Sequence, residues 1–121
     1  MDLEAYNDWC RSLPGATHSI QWGDAHVWKV GGKVFAIGGW DDDGEVTGIT
    51  FKTTPDEYEF LVELPGVRPA PYLASRGFTW VQHHAEPGLD DDDLREQLQE
   101  SHRIVAAKLP KKTQQQLGLL P

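Results

Sequence analysis

The chain has 121 residues, 39% of them apolar, with five Trp and four Phe; this is enough for one core in a single domain spanning 1–121 and too apolar for a disordered chain. Its formal charge of −8, from 19 acidic against 11 basic side chains, repels phosphate backbones and anionic membranes on average, which weighs against non-specific nucleic-acid binding. A single cysteine, Cys10, excludes an internal disulfide and any multi-cysteine zinc or iron–sulfur centre.

No apolar run approaches the ~20 residues needed to cross a bilayer, and Met1-Asp2-Leu3-Glu4 lacks the basic and apolar regions of a signal peptide. A cytoplasmic protein with no membrane partner is the expectation. Along the chain, Leu3, Tyr6, Trp9, Cys10 and Leu13 recur at helical spacing behind a candidate N-cap, Asp2. Pro14-Gly15 stops that helix and opens a loop carrying Thr17, His18 and Trp22. Two β-rich runs, Ala25 to Val30 and Lys33 to Gly38, meet at Gly31-Gly32, a pair suited to a two-residue hairpin turn. A third run, Val46 to Phe51, follows the acidic turn 41–45, and such short connections predict an antiparallel meander.

Thr54-Pro55-Asp56-Glu57 combines an N-cap, proline at the first helical position and a capping-box Glu, so a second helix begins there. Leu64-Pro65-Gly66 ends it. Arg68 to Ala74, with its prolines, reads as an extended loop, and Phe78 to His83 as a fourth strand. Asp90 caps a long last helix whose positive end takes Asp91 to Asp93 and whose inner face carries Leu94, Leu98, Val105 and Leu109. Pro110 stops it, and the tail adds a short helical turn. The expected class is α+β, an antiparallel sheet of four or more strands with helices packed on it, in the order α-β-β-β-α-β-α.

Several phrases in order, Leu13-Pro14-Gly15, Trp22-Gly23, the stretch from Lys29 to Ala36, Pro71-Tyr72, Trp80-Val81 and the stretch from Ala106 to Lys112, resemble the MmcQ/YjbR family across nearly the whole chain. The resemblance implies a compact α+β fold comparable to that of CyaY and a DNA-binding role. It brings no reaction, cofactor or catalytic residue with it.

Among candidate sites, Lys29 and Lys33 flank the Gly-Gly turn, Lys52 ends the third strand, and Arg76 precedes the fourth, near Tyr72 and Trp80. Cations mixed with aromatics can hold phosphates and stack bases. The simpler and favoured account of the same residues is solvated strand ends around a core tryptophan, since exposed lysine is the rule. His83 and His84, with His18, His26 or Glu86, do not form a metal site, because adjacent strand residues point to opposite faces. Asp41-Asp42-Asp43-Gly44-Glu45 lacks the ligand spacing of a calcium loop and reads as a hairpin turn. Cys10 lies on an apolar stripe, where a thiol is inert, and His102 near Glu100 reads as a boundary residue.

The sequence therefore points to a non-enzymatic binding module without metal or cofactor, with DNA as the leading partner through Lys29, Lys33, Lys52, Tyr72, Arg76 and Trp80. The alternative is a protein-interaction or small-ligand domain working through the aromatic, Pro-rich stretch 68–80. The DNA reading requires the aspartate clusters to lie away from the cationic face.

Overall fold

The structure, a computed structural model, describes residues 1–71 and 79–120. Helix α1 (Leu3–Ser12) starts where Asp2 Oδ1 accepts the Ala5 N–H at 2.8 Å. It leads into a sheet of β1 (Ala16–Gln21), β2 (Ala25–Val30), β3 (Lys33–Trp40) and β4 (Val46–Lys52). Then come α2 (Pro55–Leu61), β5 (Val67–Pro69), β6 (Trp80–His83), α3 (Asp91–Ala107) and α4 (Lys111–Gln116). The six strands lie in the order β1-β2-β3-β4-β6-β5, every neighbouring pair antiparallel.

The meander, the two capped helices and the long last helix stand where the sequence places them. Thr54 Oγ1 accepts the Glu57 N–H, and Asp90 Oδ1 accepts the Asp93 N–H. Two segments read as loops contain strands. Residues 16–21 pair with β2 from Ala16↔Val30 to Gln21↔Ala25, yet as an edge strand they have no core demand strong enough to impose apolar alternation. Their turn is marked by Trp22 and Gly23, both at positive φ. Residues 67–69 form the opposite edge against β6, and proline is tolerated on such an edge. The described part of the fourth strand starts at Trp80; Phe78 and the loop residues from Tyr72 onward lie outside the described residues.

Register sets Trp28, Ala36, Phe51 and Val81 in one row on one face of the sheet. All four are buried in a core shared with Tyr6 and Cys10 of α1 and Leu94, Leu98 and Val105 of α3. A fully buried large apolar side chain stabilises the fold by about 1.5–3 kcal/mol. Three indoles on this framework also find acceptors: Trp28 Nε1 donates to Asn7 Oδ1, Trp9 Nε1 to the Arg95 carbonyl, and Trp40 Nε1 to the Met1 carbonyl. These bonds tie α1 to the sheet and to α3.

The connection from β6 to α3 turns on His83, which is 2% exposed. Its Nδ1 accepts the Leu89 N–H at 3.1 Å, which requires a neutral ring at that nitrogen. A Cβ on Gly88 would sit 2.2 Å from the same nitrogen, so the close approach demands glycine. Burial, with smaller contributions from the N-terminal ammonium and His84, pushes the imidazole below its usual range against the opposing pull of Glu86 and Asp91. In the unfolded chain a histidine protonates near pH ~6.5. Between that pH and the lower folded value the unfolded state binds more protons, so stability rises with pH across this window. Urea midpoints are expected to fall as pH drops below ~6.5, and a His83→Gln variant should show a flatter pH dependence. An unchanged slope would remove His83 as the cause.

A candidate anion-binding cleft between the ends of β3 and β4

The β3–β4 ladder ends at Ala36↔Phe51. One step further along the same register, Phe35 and Lys52 stand opposite each other, with the Lys52 N–H facing the Phe35 carbonyl. A third group joins them. Ser101, fully buried on α3, accepts the Lys52 N–H at 2.8 Å and donates to the Phe35 carbonyl at 2.6 Å. The serine hydroxyl bonds both backbone groups and pins α3 to the ends of the two strands.

Beyond this serine the strands border a cleft of about 520 Å³, lined by Lys33 and Val34 of β3, Lys52, Trp80, and Val105, Lys108, Leu109 and Pro110 at the end of α3. Its walls are apolar and three of its side chains are ammonium-bearing. Lys52 Nζ lies 5.9 Å from the centroid of the Trp80 ring, within cation–π range. Burial, followed by the neighbouring Lys108, holds the Lys52 ammonium below the ordinary lysine range. Like charges brought together in an apolar cleft favour an anion between them.

The hairpin turn closes this end of the molecule. Gly31 adopts φ +57, and a Cβ there would meet Leu109 Cδ1 at 2.6 Å, so the bare turn lets the end of α3 settle against the hairpin. The consequence reaches the whole charge pattern. All six lysines, Lys29, Lys33, Lys52, Lys108, Lys111 and Lys112, lie on the hairpin beside this turn, at the end of β4, or around the α3–α4 junction. Asp41, Asp42, Asp43 and Glu45 occupy the turn at the other end of β3, about 25 Å along the strand. Asp91 to Asp93 occupy the opposite end of α3, about 25 Å from Lys108 at 1.5 Å per residue. The aspartate clusters do not interrupt the cationic end. Asp56 and Glu57, nearest to Lys52 in sequence, serve the positive end of α2.

Of the residues singled out from the sequence, Lys33, Lys52 and Trp80 converge on the cleft. Lys29 is half-buried opposite Val34 and is not part of the lining. Tyr72 and Arg76 lie outside the described residues. Trp80 is half-buried, a wall of the cleft rather than core. Lys108 was not singled out, because its place depends on α3 ending against the hairpin, a contact between residues far apart in sequence.

The other polar clusters have local structural partners. Asp41 Oδ1 accepts the N–H groups of both Asp43 and Glu45 at 2.9 Å, closing the acidic turn. His102 Nε2 lies 2.7 Å from the Pro14 carbonyl, and its ring packs edge-on against Phe35. Cys10 is fully buried, and burial pushes its thiol far above the usual range. Among the described residues, no group of three or more His, Cys, Asp or Glu side chains is placed to hold a metal ion, and no helix is long and apolar enough to cross a membrane.

Fold and site together define an α+β domain, a six-stranded antiparallel sheet backed by helices, with a cationic cleft at one end. The YjbR family model matches residues 11–104, and the chain belongs to that family. The Deinococcus radiodurans protein DR2400, described as a DUF419 domain, shares this fold with a TM-score of 0.82 at 22% identity, over 98% of this chain and 89% of that one. A protein from Pseudomonas syringae is similar with a TM-score of 0.68 at 15% identity, over 87% of this chain and 99% of its own. No curated protein matches the chain significantly.

Proposed function

We propose that the domain is a non-enzymatic binding module that takes nucleic acid through its phosphates at the lysine end. The observation that carries this reading is the convergence of Lys33, Lys52 and Lys108 on one cleft, with the acidic clusters at the far ends of β3 and α3. A chain of net charge −8 can still bind a polyanion when its charges are segregated, because fields beyond a Debye length of ~10 Å are largely screened at ~0.1 M salt. Anisotropy titration of labelled DNA and RNA 20-mers at ~50 mM salt, where electrostatic binding is strong, is expected to give saturable binding that weakens as salt rises. No binding at micromolar protein would overturn the reading.

The apolar walls of the cleft favour a second reading, a small ligand with an anionic head and an apolar body. It keeps Trp80, the last residue of the 68–80 stretch, as a contact.

A further inference from the structure

We propose that the nucleic acid taken at this end is single-stranded, with one unstacked base seated in the cleft against Trp80 and Leu109 and its flanking phosphates held by Lys33, Lys52 and Lys108. This rests on the reading of the lysine end as a nucleic-acid site and adds which form is bound and how.

The argument begins with the mismatch between the cleft and a duplex. A purely phosphate-reading surface needs only solvated cations, yet these lysines border 520 Å³ of space walled by Val34, Trp80, Val105, Leu109 and Pro110. That size lies within the range of small-molecule sites, ~300–1,000 Å³, and far exceeds the needs of a phosphate alone. In a duplex the apolar faces of the bases are stacked and out of reach, so the cleft would stay unfilled. An unstacked base of a single strand offers a flat apolar face to such walls, and stacking on an aromatic side chain tolerates any base.

The surrounding elements agree with this choice. Lys33 and Lys52 stand on the two strands that Ser101 joins to α3, and Lys108 approaches from the end of α3. The cations thus surround the apolar opening from different elements, an arrangement suited to a backbone that bends around an inserted base. The helix at the cleft, α3, ends there instead of offering its length to a major groove, and α4 has six residues.

The test compares a labelled oligothymidine 12-mer, the same oligomer with abasic sites at its central positions, and a mixed-sequence hairpin duplex, by anisotropy at ~50 mM salt. The intact single strand is expected to bind at least tenfold tighter than the duplex. Abasic substitution should cost about tenfold, within the range measured for loss of one base–aromatic stack, and this arm leaves the protein unaltered. Trp80→Leu, which keeps apolar bulk, should lose about tenfold for the single strand and little for the duplex. Equal affinity for both forms, with abasic sites and Trp80→Leu without effect, would overturn this inference while leaving nucleic-acid binding at the lysine end intact. Failure to bind either form would overturn both.

Discussion

Replacing Ser101 with alanine is expected to lower the unfolding free energy by about 2 kcal/mol, because it removes two buried hydrogen bonds at ~0.5–1.5 kcal/mol each. The hydroxyl accepts the Lys52 N–H and donates to the Phe35 carbonyl, and Ser101 is fully buried, so bulk water does not reach the position. With a urea m-value of ~1–3 kcal/mol/M, the midpoint should drop by about 1 M. A loss below ~0.5 kcal/mol, less than one such bond, would show that the hydroxyl does not fasten α3 to the strand ends. Nucleic-acid affinity measured on the same variant separates fold from site: a looser junction of α3, β3 and β4 should weaken binding at the cleft, and an unchanged affinity would show that the hydroxyl does not shape the site.

Local physics made much of the fold legible. The caps at Asp2, Thr54 and Asp90 each use a side-chain oxygen to accept a helix N–H within three residues, so no tertiary information was needed to find those helices. The Gly31-Gly32 turn is similarly local. Strand β1 was hidden for the opposite reason: its residues, Ala-Thr-His-Ser-Ile-Gln, are mostly polar, and Ile20 remains 57% exposed. Only pairing with β2 makes it a strand. Strand β5 is three residues long and includes Pro69, which weakens every strand signal a sequence carries.

The site divides along the same line. Lys33 and Lys52 were visible as cations at strand ends, and the strand register then fixed their neighbourhood. Lys108 required knowing that Leu109 packs at the bare Gly31 turn, and Ser101 required knowing that α3 crosses the ends of two strands. Neither fact has a signature in spacing, since both arise from elements more than forty residues apart. A net charge of −8 was equally misleading, because a sum carries no information about where charges sit.

Neutralising the pair Lys52→Gln and Lys108→Gln should therefore weaken nucleic-acid binding far more than the same change at Lys29, which does not line the cleft. Each cation that displaces a counterion from a single strand contributes about 0.7 to the slope of log affinity against log salt. Removing two is expected to flatten that slope by about 1.4 and to cost roughly 10–100-fold at ~50 mM salt. The fold should tolerate the double change, or gain slightly, since burial and the proximity of Lys108 already disfavour the Lys52 ammonium. The sign of the pH dependence follows from the same depression. Lys52 loses its proton at a lower pH than an ordinary lysine, so wild-type affinity should begin to fall on the alkaline side earlier than in the double variant, from which this decline should be absent. A slope unchanged by the double substitution would place the phosphate contacts elsewhere on the molecule.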